Sequence, residues 1–228
     1  DDVLIPSDIV LSGADYHHTE QLLPVKYRQY TEQYWNTRKF APSSLLFYVG
    51  FDKKVENVSH HTLFFDVDFD AHASYIYDTL EWPKDPLFYA NFPSKSDKTF
   101  APEGKESATF LIPIAIGLED TEELREKYFN IVLERLEKLT NNSLKESVSF
   151  VKSYCVKDFI DDYNSFKGNA YGLANTLTQT AFLRPRIKSK KVSNLFFTGQ
   201  LTVPGPGVPP ALISGKIAAE SISKHFGT

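Results

Sequence analysis

Asn194-Leu195-Phe196-Phe197-Thr198-Gly199-Gln200 opens the stretch that decides the fold class. Leu201-Thr202-Val203-Pro204-Gly205-Pro206-Gly207-Val208 and Pro209-Pro210-Ala211-Leu212-Ile213-Ser214-Gly215-Lys216-Ile217-Ala218-Ala219-Glu220 complete it. The first run is apolar, rich in aromatics and closed by a glycine, which predicts a short buried strand. The last run is helical, because proline is tolerated in a first turn where its missing N–H would have had no partner, and Ala, Leu, Ile and Lys follow. The unit is therefore strand, glycine loop, helix. Such a unit presents unpaired backbone N–H groups and the positive end of a helix dipole, which favour an anion or an electron-rich ring oxygen. Ala211, Gly215, Ala218 and Ala219 recur at three- and four-residue spacing, so this helix face is expected to approach a neighbour closely and a large side chain at Gly215 to disrupt it. Gly205-Pro206-Gly207 is not the dinucleotide fingerprint, since Pro210 stands at the third glycine position. Read alone, the stretch fits a structural crossover with a proline-rich turn equally well.

Working outward, residues 3–15 predict a short strand at Val3-Leu4-Ile5, a turn at Pro6-Ser7-Asp8 and a buried strand at Ile9-Val10-Leu11 ending on small residues. Residues 16–39 predict helix, with Tyr27, Tyr30, Tyr34 and Trp35 on one face packing into a core. Residues 44–50, 61–65, 87–91 and 108–116 predict four strands of a mostly antiparallel sheet. Residues 119–139 form the clearest helix, with Leu124, Tyr128, Ile131, Val132, Leu136 and Leu139 on one face and acids in the first turns. Residues 144–156 predict another strand. Gly168 and Gly172 bracket Tyr171, which marks a tight turn or close backbone approach. The α/β pieces stand at both ends and the sheet-rich piece between them, so one domain is expected to be built from both termini with the other inserted.

Bulk composition narrows the function classes. A chain of 228 residues with a net charge of -4 carries no polyelectrolyte signal, so no nucleic-acid partner is expected. Cys155 is the single cysteine, which excludes an intrachain disulfide, points to a reducing, cytoplasmic setting and reads as a packed thiol. No run approaches about 18 apolar residues, so no spanning helix is predicted, while peripheral membrane contact stays open. The 18 Phe and 12 Tyr exceed what a core needs and suggest the lining of an apolar site. Methionine is absent, and Asp1-Asp2-Val3-Leu4 reads as if already inside a strand, so the expectation is a segment of a longer protein. The pairs His17-His18 and His60-His61 lack carboxylates at ligand spacing, and adjacent residues on a strand face opposite ways, so no metal is expected. Arg184, Arg186, Lys188, Lys190 and Lys191 form a basic cluster, either a solvated loop or a patch for an anionic membrane surface. Asp158, Asp161 and Asp162 read as an acidic helix start.

The 194–220 stretch resembles the C-terminal signature of the bacterial and fungal phytoene desaturase family, with Gly199, Pro204, Gly205, Gly207, Val208, Pro209, Ser214 and Gly215 in place. Ser12-Gly13-Ala14-Asp15-Tyr16-His17-His18-Thr19-Glu20, Leu23-Pro24, Ala41-Pro42-Ser43, His60-His61-Thr62, Trp82-Pro83 and Asp85-Pro86 continue the likeness. So do Asn91-Phe92-Pro93-Ser94, Ala101-Pro102-Glu103-Gly104, Gln179-Thr180-Ala181 and Arg184-Pro185, in colinear order over nearly the whole chain.

The resemblance implies an α/β, overall α+β, two-domain flavoprotein using FAD. Residues 1–20 and 168–228 would belong to its FAD-binding Rossmann-like domain and residues 21–167 to an inserted substrate-binding domain. It places Gly199 and Gln200 near the ribityl-pyrophosphate part of FAD, and the turn of Gly207, Val208, Pro209 and Ala211 at the pyrimidine edge of the flavin. Val208 and Ala211 can then supply N–H groups; Pro209 and Pro210 cannot. The family's glycine-rich βαβ unit is expected upstream of Asp1, and this segment alone is expected to be inactive. The implied reaction is dehydrogenation of a long apolar polyene such as phytoene, hydride passing to flavin N5, with dioxygen or a membrane quinone as electron acceptor and peripheral membrane contact. No catalytic acid or base is identifiable. The alternatives are a carotenoid isomerase, saturase or other desaturase on the same scaffold, or a non-catalytic lipid-binding module.

Overall fold

A computed structural model describes residues 3–227. Its strands are β1 (Val10–Ser12), β2 (Ser43–Phe51), β3 (His61–Phe64), β4 (Phe88–Asn91), β5 (Glu106–Ile114), β6 (Val148–Tyr154) and β7 (Leu195–Phe197). The α-helices are α1 (Tyr16–Gln21), α2 (Glu32–Asn36), α3 (Phe69–Ser74), α4 (Glu122–Thr140), α5 (Val156–Tyr163) and α6 (Val208–Phe226). Two compact units result, one made of the residues through Ala41 together with those from Ile160 onward, the other of Pro42–Phe159.

The Pro42–Phe159 unit is built on a five-stranded sheet of order β3-β4-β5-β2-β6, antiparallel at every pairing. Alternation drives it: in β5, Glu106, Ala108, Phe110, Ile112 and Ile114 are buried while the residues between them are half-buried. Helix α4 starts where the Thr121 hydroxyl accepts the Leu124 N–H, and it ends at Asn141 in the left-handed conformation. Its Tyr128, Val132, Leu133 and Leu136 share one core with Leu45, Phe47, Phe110 and Ile112 of the sheet. Two details of the sequence reading need correction. Leu139 is 46% exposed; the sheet side of the last turn is taken by Thr140, whose hydroxyl donates to the Leu136 carbonyl. Arg125, a charged residue of α4 outside the apolar set named for this helix, is buried between Asp120 and Asp158. Cys155 is the packed thiol expected of it, and burial pushes its ionisation up to about 12.

In the other unit β1 and β7 pair in parallel, Val10 with Leu195, Leu11 with Phe196 and Ser12 with Phe197. The strand expected at Val3-Leu4-Ile5 is not formed; these three side chains are exposed and no strand among the described residues pairs with them, and Asp1 and Asp2 lie outside the described residues. Residues 16–39 are not one helical run. Helix α1 stops before Leu23-Pro24, as expected of the residue before a proline, and the chain turns through a 3-10 turn at Val25–Tyr27 before α2. Glu20, 1% exposed, fixes the bend by accepting the N–H groups of Gln29 at 2.7 Å and Tyr30 at 3.3 Å. Burial holds its carboxyl above the usual range despite those bonds. Tyr30, Tyr34 and Trp35 do cluster around Tyr16, whereas Tyr27 is left outside, 40% exposed. Tyr16 also stacks on Phe197 with ring centroids 3.7 Å apart, so the aromatics at the chain start pack on the strand near its end. Phe196, Ile187 and Ala218 form a second buried cluster beneath α6.

Candidate functional site

The site is built where β1 and β7 end side by side. The Thr198 N–H continues the pairing by donating to the Ser12 carbonyl at 2.9 Å, and the chain then turns at Gly199 with φ 104°. One buried hydroxyl staples this turn to α6. Ser214 Oγ accepts the Gly199 N–H at 2.8 Å, lies 2.8 Å from Thr198 Oγ1 and donates to the Ala211 carbonyl at 2.7 Å. With one proton committed to Ala211, it must receive the Thr198 hydroxyl proton. Ser214 and Ala218 are the buried residues of α6, Gly215 and Ala211 are half-buried, and Ala219, expected on the same face, is exposed.

Gly199, Gly205 and Gly207 have φ of 104°, 127° and 114°, a backbone region that side chains rarely enter. A methyl group placed on Gly199 would meet nothing within 4 Å, so the strand end opens onto free space. Gly207 caps α6 without a side-chain bond. Of the four N–H positions that a helix start leaves over, Gly207 to Pro210, the two prolines lack theirs, and Ala211, the next residue, makes the first helical bond by donating to the Gly207 carbonyl at 2.9 Å. Ala211 is therefore not the second donor expected at this turn. The N–H groups of Gly207 and Val208 are the donors of this helix start to which no acceptor is assigned among the described residues. The Val208 side chain is exposed, as is that of Leu212.

Gln200 is held from two sides. Its amide donates to Asn169 Oδ1 at 3.2 Å and its carbonyl accepts from Arg184 Nη1 at 3.3 Å. Asn169, fully buried, also accepts the Gly172 N–H at 3.0 Å and donates to Asp15 Oδ2 at 3.2 Å. Asp15 caps α1 with its other oxygen, so this network ties the ends of β1 and β7 to the loop around Tyr171. The bracketing glycines of that loop both have positive φ, and a Cβ on Gly172 would lie 3.1 Å from the Gln200 carbonyl.

Sequence reasoning singled out Gly199, Gln200, Gly207, Val208, Pro209 and Ala211, and they do lie on one strand end and one helix start. It quoted Ser214 and Arg184 for the family likeness, and did not place their side chains, or that of Asn169, in this construction. Arg184 was assigned to a basic cluster at the surface; it is 2% exposed. The signal for it was its place in Gln179-Thr180-Ala181 and Arg184-Pro185, away from the lysines. His17 and His18 lie on α1 rather than a strand, with His17 paired to Glu32 at 3.0 Å, and His61 bonds the Tyr89 hydroxyl at 2.5 Å.

The close face of α6 has a measurable tolerance. Gly215→Ala is expected to keep stability within about 1 kcal/mol of wild type, on the favourable side by helix propensity. The added methyl would sit an ordinary 3.9 Å from Thr198 Oγ1. Gly215→Leu is expected to cost about 2 kcal/mol by overpacking. Urea midpoints of the two variants check this; equal midpoints would remove the close-packing role.

No protein-family model matches the chain. It is 43% identical to the carotenoid 3,4-desaturase of Haloarcula japonica, over 97% of this chain and 45% of that protein. To the zeta-carotene-forming phytoene desaturase of Myxococcus xanthus it is 29% identical, over 96% of this chain and 43% of that one. Among solved structures, an oxidoreductase from Methanosarcina mazei shares the fold with a TM-score of 0.55 at 14% identity, covering 97% of this chain and 44% of that one. The chain thus spans somewhat less than half the length of the curated relatives it matches.

Proposed function

Starting from a chain homologous to the C-terminal part of the carotenoid and phytoene desaturases, we propose that the protein carrying it is an FAD-dependent oxidoreductase that desaturates a carotenoid precursor. The observation that carries this is the colinear likeness over 97% of the chain, 43% identical to a carotenoid desaturase. The geometry of the strand end supports it. Free space above Gly199, the unclaimed N–H of Val208 and positive-φ glycines that let a ring lie close to the backbone all suit a flat, electron-rich group such as a flavin.

In this reading Val208 offers its N–H to the electron-rich edge of the flavin, and the start of α6 adds favourable potential there. Pro209 and Pro210 shape the turn without competing donors. Gly199 and Gln200 border the ribityl side, with Asn169 fixing the Gln200 amide, and Ala211 acts through its carbonyl, which orients Ser214. Bound FAD would supply the two-electron acceptor for hydrogen removed from the polyene. The unit made of the residues through Ala41 and those from Ile160 onward serves the cofactor and the Pro42–Phe159 unit the substrate, a hydrocarbon gripped by apolar contact alone; these bounds replace the divisions at 20 and 168 that the resemblance implied. Dioxygen or a quinone takes the electrons finally, and the protein meets the membrane peripherally; no helix among the described residues is long and apolar enough to cross one.

The test is expression of the intact protein with a phytoene synthase, followed by chromatography of the pigments. Desaturated carotenoids are the expected products, from a purified protein with flavin absorbance near about 450 nm that bleaches on reduction. A colourless protein with no new carotenoid would sink the proposal.

A further inference from the structure

Arg184 is buried to 2% exposure, and no carboxylate pairs with it among the described residues. Its bonds go to neutral oxygens: Nη2 donates to the Leu173 carbonyl at 2.9 Å and to Asn175 Oδ1 at 2.6 Å, and Nη1 donates to the Gln200 carbonyl at 3.3 Å. Nε, equally buried, donates to no group among the described residues. The cavity of about 300 Å³ that Arg184 lines adds Arg186 and Lys188 and no acidic residue. A buried guanidinium without a counter-charge is costly, and such a group normally has a carboxylate or a ligand anion beside it. Burial indeed disfavours its charged form.

The position of this charge is specific. A Cβ on Gly205 would lie 3.0 Å from Arg184 Cζ and Nη2, so the guanidinium packs directly against the glycine loop between β7 and α6. It also holds Gln200, the residue after the open strand end.

We propose that Arg184 is the standing counter-charge for the negative charge that a flavin gains on reduction, placed behind the 199–207 loop to favour the reduced over the oxidised cofactor. This rests on the flavin reading above. Hydride arrival adds two electrons and one proton, so the ring system gains one negative charge, and a fixed cation nearby stabilises that form selectively. The neutral partners Leu173, Asn175 and Gln200 fit this role, because a carboxylate in their place would cancel the field.

The test is the midpoint potential of the flavin in the intact protein, measured by dye-equilibrated reductive titration. Asn175→Asp places a carboxylate against the guanidinium without removing a contact, and Arg184→Gln removes the charge. Each is expected to lower the preference for reduced over oxidised flavin about tenfold, which for a two-electron couple is about 30 mV. Arg184→Lys keeps the charge and is expected to stay within about threefold of wild type, half that shift on a logarithmic scale. Flavin-bound Asn175→Asp or Arg184→Gln protein with the wild-type potential would overturn the proposal and leave Arg184 a purely structural tie. Should Arg184→Gln fail to fold, Asn175→Asp alone decides, since an added ion pair does not weaken the fold. A wild-type protein without flavin overturns the function reading and this inference together, whereas an unchanged potential overturns only this one.

Discussion

Gly207→Ala is expected to lower stability by about 2–3 kcal/mol and to leave the purified protein with little flavin. Gly207 has φ 114° and ψ 159°, in a region that is essentially reserved for glycine. The new methyl would also lie 3.3 Å from Pro210 Cδ, and a proline ring closed on the backbone cannot swing away as a flexible side chain can. Relief must come from re-aiming the first turn of α6, which moves the Val208 N–H and loosens the Ala211 N–H from the Gly207 carbonyl. Urea denaturation and the flavin-to-protein absorbance ratio check the two effects separately. Wild-type flavin content in Gly207→Ala would mean that this turn does not hold the cofactor.

Arg125→Ala should cost about 3 kcal/mol or more at neutral pH, without involving the flavin at all. Arg125 Nε and Nη2 donate to the two oxygens of Asp120 at 2.7 and 2.6 Å, Nη2 lies 2.7 Å from Asp158, and Nη1 reaches Ser153 Oγ at 3.2 Å. The Asp120 side chain is 3% exposed, so removing the guanidinium strands a buried carboxylate. Burial by itself raises the Asp120 ionisation, but the Arg125 hydrogen bonds, the Lys157 N–H and the guanidinium charge override it and hold the carboxyl below its usual range. A folded value below the unfolded one adds stability above roughly pH 4, and that contribution is lost as the pH falls through the folded value. Without Arg125, burial wins and the carboxyl is expected to rise above the usual range. The penalty is then largest at neutral pH and shrinks in acid, where Asp120 is neutral. Urea midpoints of wild type and variant at pH 7 and near pH 4 check the sign; an equal gap at both would exclude a stranded Asp120.

The two predictions differ in how far sequence reasoning reached them. Gly207 was readable because glycine before Val-Pro-Pro at a helix start is a local signal, carried by a few adjacent residues. Arg125 was not. The helix period of α4 lines it up with Tyr128, Val132 and Leu136, but a charged residue in a helix usually solvates; Asp120, just before α4, and Asp158, on α5, make the difference. The same holds at the site. Gly199, Gly207 and Val208 were legible, while the N–H of Ala211 was counted as free until the turn geometry gave it to Gly207. Ser214 was read only as a residue of the family signature, with no role given to its hydroxyl, which closes three bonds.

By itself the sequence determined the α/β character, the strand, glycine loop and helix at the end of the chain, and the antiparallel strands between residues 44 and 156. Each of these follows from alternation with period 2 or 3.6 and from proline and glycine acting on their own backbone, all properties of neighbours in sequence. Only the tertiary structure decided the bend within residues 16–39, the role of Asn169 and the burial of Arg184. Burial and hydrogen-bond satisfaction are set by groups that converge from distant parts of the chain, in the case of Arg184 from Leu173, Asn175, Gln200 and Gly205. A basic run therefore reads as surface in one dimension, yet in three it places one unpaired charge against the glycine loop.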